Sequence, residues 1–233
     1  MTKQQLAQYI DHTLLKPDAT DVDVQVQAEL AAAYGVYGFC VRPTDVHAAR
    51  RFFENANSAV KTISVVGFPL GCNRTEVKAF EAQMALDDGA EELDMVLHIG
   101  ALKSGDETAV AEDIEAVTAM AEHVPVKVIL ETCYLTDDEK ILACRIARDS
   151  GAAFVKTSTG LAVPANAVAP AGAPTITGAA VADVRLMRRT VGDEIGVKAS
   201  GGIRTLQQAV ELIHAGANRI GCSATAAILD ACR

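Results

Sequence analysis

Short apolar runs recur along the chain, and after each one the apolar positions return at helical spacing. In order the runs are YIDH, GFCV, TISVVGF, ELDMVL, VKVILE, FVKTS, GVKAS and RIGCS. Eight strand candidates alternating with helices is the count a closed (β/α)8 barrel requires, so the pattern predicts an α/β fold, a TIM barrel. No linker or change of composition divides residues 1–233, and a single domain is expected over that range.

Helix punctuation supports the alternation. Thr136 and Glu139 form a capping box ahead of Ile141, Leu142 and Ile146, which share one face, and Gly151 stands where a C-terminal cap belongs. Thr205 is placed to cap LQQAVELIHAG, with Leu206, Ala209, Val210 and Ile213 turned inward and Gly216 ending the helix. One stretch breaks the pattern: residues 161–180, rich in Ala and Pro, lack helical spacing and read as a long functional flap or insertion after the sixth strand.

Composition narrows the function. Half of the residues are hydrophobic, yet charges or glycines interrupt every apolar run well short of the roughly 20 residues needed to cross a bilayer. The first seventeen residues lack the basic start and apolar middle of a secretory signal, which places the expected location in the cytoplasm. A net charge of −9 argues against a nucleic-acid surface. It leaves room for a small phosphorylated ligand held by backbone N–H groups. The six cysteines form no CxxC pair and no Cys/His cluster at metal-binding spacing, so neither a metal nor a cofactor is expected. Cys40 reads as a core thiol or as one facing the barrel mouth.

Two lysines carry the chemistry. Lys156 in FVKTSTG and Lys198 in GVKASGG each end an apolar run and precede a loop of small residues, at the strand ends where barrel enzymes place their catalytic groups. A nucleophilic lysine must be neutral. Two ammonium groups about 5 Å apart at an effective dielectric near 20 repel by about 3 kcal/mol, which favours loss of one proton. Lys198 can thus activate Lys156 for Schiff-base formation with a carbonyl. Asp94, set in the apolar strand ELDMV, is either a structural ion-pair partner or the carboxylate that relays protons. Asp11, Lys127 and Glu131 are further charged residues near strand ends that can orient the first three. Gly160 in TSTG, Gly201 and Gly202 in ASGGIRT, and Gly221 and Ser223 in GCSA sit on loops suited to an anion on the same face.

Taken together, DHTLLKP, GFCVRP, VVGFPLG, ELDMV, KVILET, FVKTSTG and GVKASGGIRT resemble the 2-deoxyribose-5-phosphate aldolase family over nearly the whole chain. The resemblance implies a class I aldolase that reversibly cleaves 2-deoxy-D-ribose 5-phosphate to D-glyceraldehyde 3-phosphate and acetaldehyde in deoxynucleotide catabolism. It assigns the Schiff base to Lys156, its activation to Lys198, proton relay to Asp94, and phosphate contacts to Gly160, Gly201, Gly202 and Ser223. The partners it implies are the sugar phosphate and acetaldehyde, and a homodimer is one possible assembly for a barrel of this size. The sequence departs from the family at His98, where asparagine is common, in the long Ala/Pro stretch, and in stopping at Arg233 without a tyrosine-ended tail. Two other readings stay open: an acid/base isomerase or non-covalent lyase using Asp94, and a silent barrel that senses a sugar phosphate.

Overall fold

The computed structural model describes residues 1–162 and 178–232. Most of the 161–180 stretch, residues 163–177, lies outside them. Eight parallel strands close in chain order into one barrel: β1 (Ile10–Leu14), β2 (Gly38–Val41), β3 (Lys61–Val66), β4 (Glu92–Val96), β5 (Val126–Ile129), β6 (Phe154–Lys156), β7 (Gly196–Ser200) and β8 (Arg219–Cys222). Each lies within one of the expected runs or overlaps it by most of its length, and β1 pairs with β8 to complete the ring.

The described helices are α1 (Lys3–Ala7), α2 (Asp21–Tyr34), α3 (Val46–Asn55), α4 (Thr75–Asp87), α5 (Ile99–Lys103), α6 (Glu107–Ala121), α7 (Asp137–Asp149), α8 (Val181–Val191), α9 (Leu206–His214) and α10 (Thr225–Asp230). The expected capping box is present at α7: the Thr136 hydroxyl accepts the Glu139 N–H at 3.3 Å, and the Glu139 carboxylate accepts the Thr136 N–H at 2.8 Å. Ser150 closes that helix and Gly151 follows it in the left-handed region at φ 84°, a conformation glycine adopts without a Cβ clash. Thr205 caps α9 through Gln208 in the same way.

Two helix faces differ from expectation. On α9 the fully covered residues are Ala209 and Leu212, with Leu206, Val210 and Ile213 half-buried, so the inward stripe lies to one side of the expected one. On α7 the contact is made by Ala143, Cys144, Ile146 and Ala147, with Ile141 and Leu142 only half-buried. In both, small side chains let the helix approach the sheet while the larger ones flank the contact, which spacing alone does not separate.

The main apolar core is the shell between sheet and helices, with Val41, Leu93, Val128, Val155, Val197 and Ile220 on the outward side of the strands. The inward side is built differently. Its apolar part includes a small cluster of Cys40, Ile63 and Val65 from β2 and β3 and the Phe154 ring of β6, and the remaining strands contribute charge.

Candidate active site

Along each strand the inward positions alternate with the period of two that the pleat imposes. They are Glu92 and Asp94 on β4, Lys127 on β5, Phe154 and Lys156 on β6, Lys198 on β7, Arg219 on β8 and Asp11 on β1. Register brings the partners level, since Asp94 pairs with Lys127 across β4–β5 and Lys156 with Lys198 across β6–β7. Barrel interiors are usually filled by branched apolar side chains, so this one is a charged cluster where hydrocarbon is the norm.

Asp94 is its centre. One carboxylate oxygen accepts from Lys127 Nζ at 2.8 Å, and the other accepts from both Lys156 Nζ and Lys198 Nζ at 2.8 Å. Sharing one oxygen keeps the two lysine nitrogens within a few ångströms of each other, which is the proximity the repulsion argument requires. Lys198 also meets Asp11 at 2.5 Å, Arg219 donates to Asp11 at 2.9 Å, and Lys127 lies 2.6 Å from Glu92. Below them Arg219 stacks on the Tyr37 ring, 3.3 Å from its centre, and Tyr37 donates its hydroxyl to Glu92 at 2.8 Å.

Charge is fixed by these contacts. Burial alone would push the Asp94 carboxyl up, but the ammonium groups of Lys127, Lys156 and Lys198 hold it well below the usual carboxylate range. Burial opposes the charged form of Lys198, and Asp11 and Asp94 outweigh it, keeping this lysine above its ordinary value. The same balance raises Lys127 and Arg219. These contacts favour the charged form of Lys198, the form that activation of a neighbouring lysine requires.

The contacts link four basic groups, Lys127, Lys156, Lys198 and Arg219, to three carboxylates, Asp11, Glu92 and Asp94. With every group charged, the buried cluster carries one positive charge in excess. Release of a single proton balances it. Of the four basic groups, Lys156 alone borders the cavity at the strand ends.

That cavity has a volume of about 580 Å3. Lys156 reaches it from below, and Gly160, Gly201, Gly202 and Ser223 line it, so the structure brings the expected lysine and the expected loops to one site. Lys16 and Arg204 add positive charge to its wall, and Asp18 and Asp23 negative charge. A depression of about 770 Å3 between α4 and α6 is larger, but it is remote from the charged cluster.

The loops are held close together. Gly160, Gly201 and Gly202 have φ values of 83°, 92° and 74°, and a Cβ on Gly201 would come within 2.9 Å of the Gly178 Cα. The N–H groups of Gly160, Gly201, Gly202 and Ser223 donate to no acceptor among the described residues. Free backbone N–H groups on neighbouring loops are the donors that an anion site needs. Thr157 and Ser200 brace the loops, the Thr157 hydroxyl donating to the Ser200 carbonyl and accepting the Ser200 N–H, both at 3.0 Å. No group of three His, Cys, Asp or Glu side chains placed to hold a metal occurs among the described residues.

The remaining expectations resolve individually. Cys40 is a core thiol: it is fully buried with Sγ 4.0 Å from an Asp94 oxygen, and burial followed by the Asp94 charge pushes it up to about 11. His98 caps α5, its Nδ1 accepting the Ala101 N–H at 3.1 Å, a bond an asparagine side chain also makes. Sequence reasoning passed over Glu92 and Arg219. Each lies on a run recognised as a strand, and Glu92 shares the inward face of Asp94 by its spacing of two, so the alternation already contained the signal.

Gly221 gives a direct check on the position of Lys198. A Cβ there would lie 3.2 Å from the Lys198 Cε and 2.9 Å from the Ser200 Cβ, so Gly221→Ala has to displace the lysine stem or the strand. We expect the kcat of a reaction that relies on Lys198 to fall about tenfold or more, since small displacements of reacting groups are costly. Steady-state kinetics with an unchanged kcat would show that the position of Lys198 does not matter.

Residues 5–230 match the DeoC/LacD family aldolases. The chain is 51% identical over 235 residues to the deoxyribose-phosphate aldolase of Thermococcus gammatolerans, covering 100% of this chain and 99% of the relative. It is 49% identical over 224 residues to the deoxyribose-phosphate aldolase of Streptococcus pneumoniae serotype 19F, covering 96% and 95%. Among solved structures, the tetrameric deoxyribose phosphate aldolase of Aeropyrum pernix superposes with a TM-score of 0.86 at 35% identity, covering 99% of this chain and 92% of that one.

Proposed function

Because this chain belongs to the DeoC/LacD family of aldolases, we propose that it cleaves 2-deoxy-D-ribose 5-phosphate reversibly to D-glyceraldehyde 3-phosphate and acetaldehyde through a Schiff base on Lys156. One observation carries this reading. Lys156 is the basic group of the cluster that borders the cavity, it shares an Asp94 oxygen with the charged Lys198, and loss of one proton balances the cluster.

Neutral Lys156 attacks C1 of the open-chain aldehyde, and loss of water from the carbinolamine leaves an iminium. Acetaldehyde has two carbons and the phosphorylated product three, so the bond that breaks is C2–C3. As a base takes the C3 hydroxyl proton, the O–H electrons become the new carbonyl. The C2–C3 pair becomes the enamine double bond and neutralises the iminium nitrogen. Protonation at C2 and addition of water then release acetaldehyde and the free amine. Asp94, ionised at rest, opposes the iminium charge while that charge exists and relays protons with Lys198 and water. The N–H groups of Gly160, Gly201, Gly202 and Ser223 hold the phosphate, with Lys16 and Arg204 nearby. The role in deoxynucleotide catabolism follows from the substrate. Among the described residues no helix is long and apolar enough to cross a membrane, in keeping with a cytoplasmic enzyme. The barrel acts as one catalytic unit, and a homodimer is the assembly we propose.

The test is turnover: purified protein given 2-deoxyribose 5-phosphate should release glyceraldehyde 3-phosphate and acetaldehyde in equal amounts, and the reverse addition should run with both aldehydes. Isomerised sugar phosphate with no acetaldehyde would favour an acid/base isomerase, and binding without conversion a sensor.

A further inference from the structure

Glu131 is a buried carboxylate that the scheme above does not use. It follows β5, is 1% exposed, and holds a left-handed backbone (φ 53°, ψ 64°) that residues other than glycine seldom adopt. Its neighbours are fastened to the end of β6, Leu130 N–H to the Lys156 carbonyl at 2.9 Å and Thr132 N–H to the Thr157 carbonyl at 3.0 Å. The strained conformation thus turns one side chain toward the β6 loop between two fixed points.

What that side chain does is specific. One Glu131 oxygen accepts both the N–H of Thr159, at 3.1 Å, and its hydroxyl. With its proton committed to Glu131, the Thr159 oxygen accepts the Leu161 N–H at 3.1 Å. The N–H groups on either side of Gly160 are therefore satisfied within the protein, while that of Gly160 has no acceptor among the described residues. Gly160 borders the cavity, and a Cβ built on it would lie 3.5 Å from the Gly201 Cα. We propose that Glu131 is the positioning residue of the anion cradle: through Thr159 it fixes the Thr159–Leu161 turn so that the Gly160 N–H is presented to the substrate phosphate. This rests on the phosphorylated substrate inferred above. Glu131 makes no hydrogen bond or ion pair with Lys156, and it acts through the loop.

The test separates phosphate recognition from amine chemistry. Glu131→Ala should raise KM for 2-deoxyribose 5-phosphate by about tenfold or more with kcat within about threefold, the scale of a lost hydrogen bond to a charged group. Borohydride trapping of acetaldehyde, which carries no phosphate, should proceed at the parent rate. Inorganic phosphate should raise the melting temperature of the parent and not that of the variant. Glu131→Gln keeps an oxygen that can accept from Thr159, and should restore most of the affinity. If Glu131→Ala does not fold, Thr159→Val removes the same hydroxyl and should behave alike. An unchanged KM, or trapping slowed as much as KM is raised, overturns the proposal. If the parent fails to cleave the sugar phosphate, the function inferred above fails by itself. The phosphate melts then decide the role of Glu131: stabilisation confined to the parent supports it, and stabilisation of both proteins or of neither refutes it.

Discussion

Lys156→Met should reduce cleavage of 2-deoxyribose 5-phosphate by about 10^4-fold or more while leaving a folded barrel, because under the proposed mechanism it removes the atom that forms the covalent bond and not merely a group that assists. Buried charged residues are usually poor candidates for a clean deletion, since the partner left behind is uncompensated. Lys156 is an exception on charge grounds. Without it the cluster holds Lys127, Lys198 and Arg219 against Asp11, Glu92 and Asp94, three against three, and Asp94 keeps donors on both oxygens. Methionine fills the volume of the stem. Thermal unfolding should therefore stay close to the parent. Substantial residual turnover would place the nucleophile elsewhere, and collapse of the fold would show that the charge count omits a group.

Asp94→Asn should do the opposite, damaging stability and catalysis together. Asp94 is fully buried and faces three ammonium groups, and an amide in its place has no charge to offer them and turns an NH2 toward at least one. Breaking a buried pair from one side typically costs about 3–5 kcal/mol, and loss of the proposed proton relay a further 10^2- to 10^4-fold in rate. The pH response adds a signature. The folded-state value of Asp94 is depressed, so its stabilising contribution is complete above the ordinary value of 3.8 and is withdrawn as pH falls through the lower folded value. The variant lacks that acid-side component. Urea titrations of parent and variant between neutral and strongly acidic pH measure it directly. A variant as stable as the parent at neutral pH would mean that the three ammonium groups do not depend on Asp94.

The eight strands were legible because each is a short run bounded by glycine, charge or a capping residue, and because the (β/α) order never changes. The two lysines stood out for the same reason, as charges in apolar runs ahead of small-residue loops. What stayed hidden depends on closure of the barrel. The pairing of Arg219 on β8 with Asp11 on β1 and with Glu92 on β4 joins residues from the two ends and the middle of the chain, and it exists only once β8 meets β1. Gly221 reads in the sequence as part of an anion-binding loop, yet it lies within β8 and leaves space for the Lys198 stem, while Gly38 leaves space for Asp11 and Ile63 and Gly196 for Phe154. The bond between Glu131 and Thr159 spans 28 residues and needs a left-handed glutamate, which no local pattern announces. Along α9, periodicity fixed the helix but not which of its apolar residues are fully covered, because that depends on how closely Ala209 lets the helix approach the sheet.

The central claim is a covalent bond to one particular amine, and borohydride reduction in the presence of acetaldehyde, followed by peptide mass analysis, reads it most directly. An ethyl group on Lys156, absent from Lys156→Met and absent without acetaldehyde, is the predicted result. No adduct at all, or one on Lys198 or Lys16 with Lys156 unmodified, would contradict it.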